Sequence, residues 1–357
     1  MMHFLIKFSI IFINLIPVLP LTIASSANVT AVFAFGDSTF DSGNNNQLPT
    51  VFRSNHPPYG LDFPGRVPTG RFSDGKLTID FLSSRLGLKE LLPAYLDPLI
   101  TDRDLLTGVS FASAGSGLDE LTACEINALS MRNQLDYFAE ALRRIRTAVG
   151  RKEAGRIVEK ALFIISAGTN DMLYNFYGLP MRKVSYSLSD YHDLLLRNVE
   201  SIIRELYNKG ARRLSIAGLP PIGCLPVQMT LNTLISHNHH RSCVNDQNMD
   251  SQHYNTKLQA LTSTLQANLS DSKVAYAVIY TPLMDMIINP SKYGFEKTKE
   301  GCCGTGSIEM GFLCNIFDAT CESPAKYLFW DAVHPSQATY LKLAKIFQQT
   351  LLPHLLD

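Results

Sequence analysis

A few residues, widely separated in the chain, could together perform nucleophilic chemistry. Ser38 closes Gly36-Asp37-Ser38, directly after the apolar run Ala31–Phe35. Asp331 and His334 stand three residues apart near the other end. A carboxylate at that spacing can reach imidazole Nδ1–H, fix the tautomer and leave Nε2 facing a hydroxyl. A serine hydroxyl is a weak nucleophile unaided and needs such a base. An acyl-transfer intermediate also needs donors for its oxyanion. The Ser38 and Gly115 backbone N–H groups and the Asn170 side-chain amide suit that role. Gly115 suits because a residue without Cβ lets its backbone approach a ligand closely.

For these residues to meet, the chain must carry them on neighbouring strand ends. Short apolar runs at 31–35, 109–112, 161–165, 212–217 and 273–280 read as strands. Segments with helical spacing lie between them, at 76–87, 131–149, 151–160, 187–208 and 245–269, with a last helix from about 336 to 352. Such alternation predicts a mainly parallel five-stranded sheet with helices on both faces. Ser38, Gly115 and Asn170 each follow a strand, so in a parallel sheet they emerge along one edge, where open α/β sheets bind ligands. The Gly-, Pro- and Asn-rich stretch 41–75 is a long loop, and such loops are commonly functional. No repeat or composition shift divides the chain, so residues 28–357 are expected to form a single domain.

Six blocks carry a family resemblance: FAFGDSTFDSGNNN, PTGRFSDGKLTIDF, GVSFASAGSG, ISAGTNDM, GLPPIGCLP and FWDAVHPS. In order and spacing the chain resembles the plant-type GDSL esterase/lipase family, within the SGNH hydrolase superfamily, over essentially its whole mature length. The resemblance implies a three-layer α/β/α sandwich of flavodoxin-like type. It implies Ser38 as nucleophile, Asp331 and His334 as the acid–base pair, and an oxyanion hole of Ser38, Gly115 and Asn170. The implied function is hydrolysis of carboxylic esters through an acyl-enzyme. An acyltransferase using the same acyl-enzyme and a catalytically idle cell-wall binding protein are the alternatives. Two positions depart from the pattern: Thr39 stands where Leu is usual, and Ser110 where many relatives have Asn.

The amino terminus reads as an address. Lys7 precedes the almost wholly apolar Phe8–Ile23, and Ala24-Ser25-Ser26-Ala27 follows as a cleavage site. That is a secretory signal peptide over residues 1–27. Pro17 and Pro20 argue against a retained membrane anchor. A secreted chain lets its seven cysteines pair. Cys224 and Cys243 would close a loop worth on the order of 3 kcal/mol in the chain-entropy model. Cys302, Cys303, Cys314 and Cys321 form a second group of unassigned connectivity, which leaves Cys124 free. Asn28 and Asn268 head glycosylation sequons.

Other classes are disfavoured. Thirty-two basic and 32 acidic side chains leave no basic excess for nucleic acid. His237, His239 and His240 lie in a polar loop, and the spacing of Asp37, Asp41 and Asn44–Asn46 is not that of a calcium loop. No metal or cofactor is expected, and the partner is an ester substrate. Met172, Leu173, Tyr174, Phe176 and Tyr177 are either core or the wall of an acyl site; in the second case Phe176→Ala should alter chain-length preference.

Overall fold

The computed structural model describes residues 29–178, 181–236 and 240–356. The expected leader 1–27, Asn28 of the first sequon, His237 and His239 lie outside the described residues. Four parallel strands form the central sheet: β1 (Val32–Gly36), β2 (Leu162–Ser166), β3 (Arg213–Ala217) and β4 (Lys273–Ala277), in that spatial order. Registers are regular, with Phe35 opposite Ile165 and Ile165 opposite Ile216.

The expected strand at 109–112 is present in reduced form. The β1 amides of Val32 and Ala34 donate to Thr107 O and Val109 O, and Phe111 and Ser113 N–H donate back to Ala34 O and Gly36 O. It therefore occupies the outer edge beside β1, giving the order 2-1-3-4-5 that the flavodoxin-like expectation requires. Among the described residues no full strand covers its outer side, where a single parallel bridge joins Ala94 to Ser110. Instead the Asn44 amide donates to Ser110 O and Ala112 O, and Tyr95 N–H also donates to Ser110 O. These contacts satisfy an edge that would otherwise be open for pairing.

Side chains alternate across the sheet because successive Cβ atoms point to opposite faces. Phe33, Phe35, Phe163 and Ile165 meet helices α2 (Met131–Lys160), α3 (Leu188–Asn208) and α4 (Asn245–Asn268). Val32, Ala34, Leu162 and Ile164 meet α1 (Thr78–Arg85) and α6 (Gln337–Thr350) on the other face. The result is a three-layer α/β/α sandwich. Helices 131–149 and 151–160 run on through a kink at Gly150, whose φ is 81°. Ser130, Ser187 and Ser336 cap α2, α3 and α6 by accepting the N3 amide, satisfying an otherwise orphan donor.

Two boundaries differ from the expectation. The last sheet strand ends at Ala277, and Tyr280 begins α5 (Tyr280–Ile288). The cysteine-rich region also holds a second parallel pair, β5 (Lys297–Gly301) with β6 (Tyr327–Phe329). Its disulfides are Cys302–Cys321 and Cys303–Cys314; Cys224 pairs with Cys243, and Cys124 is free and exposed. Among the described residues no helix is long and apolar enough to cross a membrane.

Candidate active site

The site begins where β1 must turn sharply. Gly36 has φ 124°, and a Cβ there would fall 1.8 Å from Ser166 O, so only glycine fits. Asp37 N–H donates to Ser166 O, and its carboxylate accepts from Thr39 N–H (3.0 Å) and Thr39 Oγ1 (2.7 Å). This local turn presents Ser38 between them. Burial raises the Asp37 pKa above its ordinary value, against the lowering influence of Thr39 and of His334. Thr39 thus spends its hydroxyl on the turn itself, which Leu could not do.

Ser38 Oγ lies 2.8 Å from His334 Nε2, and His334 Nδ1 lies 2.7 Å from Asp331 Oδ2. The three residues come from opposite ends of the chain and are almost fully buried. Asp331 is held at both oxygens. Its Oδ1 accepts from Val333 N–H and His334 N–H, which makes the Asp-x-x-His turn a rigid local unit. Its Oδ2 accepts from the Tyr59 hydroxyl at 2.7 Å as well as facing His334.

Tyr59 was not legible as a site residue in the sequence. It sits in the long 41–75 loop and is fully buried beside Phe72 and Trp330. Its hydroxyl accepts from Gly311 N–H at 2.7 Å, so one oxygen joins the 311 loop to Asp331. Burial first, and then the Asp331 charge, push its pKa well above the ordinary tyrosine value; the hydroxyl therefore stays a donor. Tyr59→Phe should lower kcat about tenfold, because Asp331 loses a donor and Gly311 N–H is stranded, a penalty of about 1–3 kcal/mol. Steady-state kinetics together with urea unfolding check this, and unchanged kcat in a destabilised variant would reduce Tyr59 to a purely structural role.

Gly115 and Asn170 meet Ser38 on the other side. Ser38, Gly115, Asn170, Tyr174, Gly311 and His334 line one small cavity. Gly115 has φ 84°, a left-handed conformation that favours glycine. One Asn170 amide N–H donates to Ser116 O at 2.9 Å, tying the two strand ends together; the amide carries a second. Further buried groups hold this edge. Asp41 accepts from Gly43, Asn44 and Ala114 N–H, and burial pushes its pKa up to about 6. Gln134 receives Gly36 N–H and returns its amide to Gly36 O and Ser116 Oγ. Its only sequence signal is a polar residue on the apolar stripe of α2. At position 110, Ser110 Oγ donates to Phe40 O at 2.6 Å, so the departure from Asn keeps a hydrogen bond.

Asp171, next to Asn170, orients the neighbouring loop. Its carboxylate accepts from Leu118 N–H, Asp119 N–H and Thr122 Oγ1, fastening the 116–122 segment beside Asn170. A Cβ on Gly117 would fall 2.4 Å from Asp171 Oδ1, so that approach also requires glycine. Burial pushes the Asp171 pKa up to about 7, against those three donors. A carboxyl raised above its unfolded value of 3.8 keeps its proton longer in the folded chain. Its stabilising contribution is full below pH about 4, falls as pH rises through about 7, and then levels. The stability advantage of the wild type over Asp171→Asn should narrow across that window. Urea titrations at three pH values check it; parallel curves would contradict the assignment.

The aromatic group after Asn170 divides. Tyr174 lines the small cavity and meets Phe52 edge-on. Phe176 is core: it stacks on Tyr191 and touches neither cavity at Ser38. Of the two readings of Phe176, core is the one the structure bears out: within the π-helical turn over Asp171–Gly178 it packs against Tyr191 of α3. Among the described residues no group of three or more His, Cys, Asp or Glu is gathered to hold a metal.

The family model for GDSL-like Lipase/Acylhydrolase matches residues 32–347. The chain belongs to this GDSL lipase family. GDSL esterase/lipase At2g40250 of Arabidopsis thaliana is 54% identical over 344 residues, covering 96% of this chain and 95% of that one. GDSL esterase/lipase At2g31550 of Arabidopsis thaliana is 46% identical, over 87% of this chain and 86% of its own. GDSL esterase/lipase At1g06990, from the same plant, is 46% identical over 88% of this chain and 87% of its own. Membership places this GDSL protein among the carboxylic ester hydrolases.

Proposed function

We propose that this GDSL protein is a secreted serine esterase working through an acyl-enzyme on Ser38. The observation that carries the reading is the continuous hydrogen-bond line from Ser38 Oγ through His334 to Asp331. Ser38 Oγ adds to the ester carbonyl carbon as His334 Nε2 takes its proton. Asp331 holds the resulting imidazolium. Ser38 N–H, Gly115 N–H and the Asn170 amide receive the oxyanion. Collapse breaks the bond to the alcohol, which leaves with the proton from His334. Water then repeats the sequence, releasing the acid and restoring Ser38.

Residues 1–27 are removed on export, and residues 28–357 act as one domain. Three disulfides support an oxidising destination. Asn268 is exposed at the end of α4, where a glycan would meet no core.

Labelling with a small fluorophosphonate tests the reading. The folded protein should label at Ser38, with hydrolysis products alone formed from an ester in water. A folded protein that never labels overturns the enzymatic reading. Transfer of the acyl group to an added alcohol in preference to water would make it an acyltransferase instead.

A further inference from the structure

Two apolar projections spring from the turn that carries Asp331 and His334, and one residue of that turn anchors both. Ala332 O accepts from Val227 N–H at 3.0 Å, and Ala332 N–H donates to Glu309 O at 2.8 Å. Val227 lies in the first turn of the helix Pro226–Ser236, which packs against β5 and is buried at its start but exposed at its end. Leu231, Leu234 and Ile235 are spaced three and four residues apart, so they share one helix face. That face lies in water, with Ile235 79% exposed. Glu309 belongs to the loop closed by Cys303–Cys314, and its carboxylate accepts from Thr305, Ser307 and Ile308 N–H, which braces the loop. Just beyond it Phe312, Leu313, Ile316 and Phe317 are all exposed, Phe317 to 90%. Both projections are rooted at the site. Met310 and Gly311 border the small cavity at Ser38, and Leu225 borders the larger cavity on its other side. Soluble chains rarely leave such a group of large apolar side chains in water without a use.

We propose that these two projections form a docking surface for the face of a water-insoluble, uncharged acyl lipid. Hydrolysis of the docked lipid rests on the esterase reading; the docking itself does not. Charge selects the occupant. The helix Pro226–Ser236 has no charged residue, and residues 302–321 contain no Lys or Arg. Their two carboxylates are turned to the loop's own backbone, Glu309 as described and Asp318 by accepting from Asn315 N–H. Arg241, which reaches this loop, gives its guanidinium to Lys299 O and Ser307 Oγ. Anionic membranes are held by clusters of exposed Lys and Arg, which both projections lack. An uncharged lipid face asks only that apolar surface leave water. Position disfavours a second copy, which would cover the ground beside Ser38, whereas a lipid face there presents ester to it. Because the loop is braced beforehand, docking costs little ordering.

The test follows flotation of the full mature chain with triolein droplets, with Ser38→Ala in every sample so that the droplets stay intact. This parent should float with them equally at low and high salt, because no ion pairs are involved. Ile316→Asp with Phe317→Asp, and separately Leu234→Asp with Ile235→Asp, should each lower the partition coefficient about tenfold or more. These four side chains are exposed and border neither cavity at Ser38. The same substitutions in the protein that keeps Ser38 should therefore leave fluorophosphonate labelling and kcat/KM for para-nitrophenyl acetate unchanged, while triolein hydrolysis falls with the binding. A parent that stays in the water phase overturns the proposal, as does one that floats only at low salt or only with phosphatidylglycerol in the droplets. Variants that label normally and bind like the parent overturn it too. A dimer that these substitutions dissociate, seen by sedimentation, would give the surface to a second copy instead. A protein that binds droplets but never labels overturns the esterase reading and leaves the docking surface standing.

Discussion

Ser38→Ala should reduce ester hydrolysis by a factor on the order of 10⁴ or more, with the protein still folded. The size follows from the chemistry removed. Without the hydroxyl no acyl-enzyme forms, and His334 and Asp331 have no nucleophile to serve, so the three groups fail together. What remains is the modest rate that oxyanion donors and binding supply to attack by water. The substitution itself is mild. Ser38 Oγ has His334 Nε2 as its partner, and Ser38 is 7% exposed, so little packing is lost. The melting temperature should stay close to that of the wild type. Active-site titration beside steady-state kinetics checks this; retention of more than about a tenth of the activity would place the nucleophile elsewhere.

Asp331→Asn should lower kcat about 10³- to 10⁴-fold with little change in the backbone. Here the hydrogen-bond pattern sets the expectation. Oδ1 accepts from Val333 N–H and His334 N–H, while Oδ2 faces His334 Nδ1 and accepts from Tyr59. A carboxylate can accept at both oxygens; an amide has one acceptor and one donor end. If the NH2 group turns toward Val333 it meets two backbone N–H groups. If it turns toward His334 it meets the Tyr59 hydroxyl and forces imidazole into the wrong tautomer. Either orientation breaks the line to Ser38 or the turn that carries it. Kinetics across a pH series check the prediction, and a loss smaller than about tenfold would remove Asp331 from the catalytic line.

The candidate reactive groups and the groups that support them were not equally readable in the sequence. Ser38, His334, Asp331, Gly115 and Asn170 could be named because each is chemically unusual in its setting. A nucleophile ends an apolar run, and a carboxylate precedes a histidine by three. Parallel-sheet logic then placed three of them on one edge, because strands joined by helices all point the same way. Cysteine arithmetic likewise left Cys124 over. The four-cysteine group had no such constraint, since its pairing depends on how β5 meets β6.

What escaped is of a different physical kind. Tyr59 and Gln134 act through long-range hydrogen bonds to Asp331 and Gly36, 272 and 98 residues away. Nothing local marks them. Core and pocket could not be told apart for Phe176 because the direction of an aromatic side chain depends on helix phase, and a π-helical turn shifts that phase. The larger cavity beside Ser38 is assembled from β3, α5, α6 and the segment around Leu225, so no contiguous motif encodes it. By itself the sequence determined the family and the parallel sheet, and it named the candidate reactive groups, because local periodicity and motif spacing carry those. Only the tertiary structure decided the cysteine pairing, the donors behind Asp331 and the shape of the space beside Ser38. Those depend on which distant side chains are packed together.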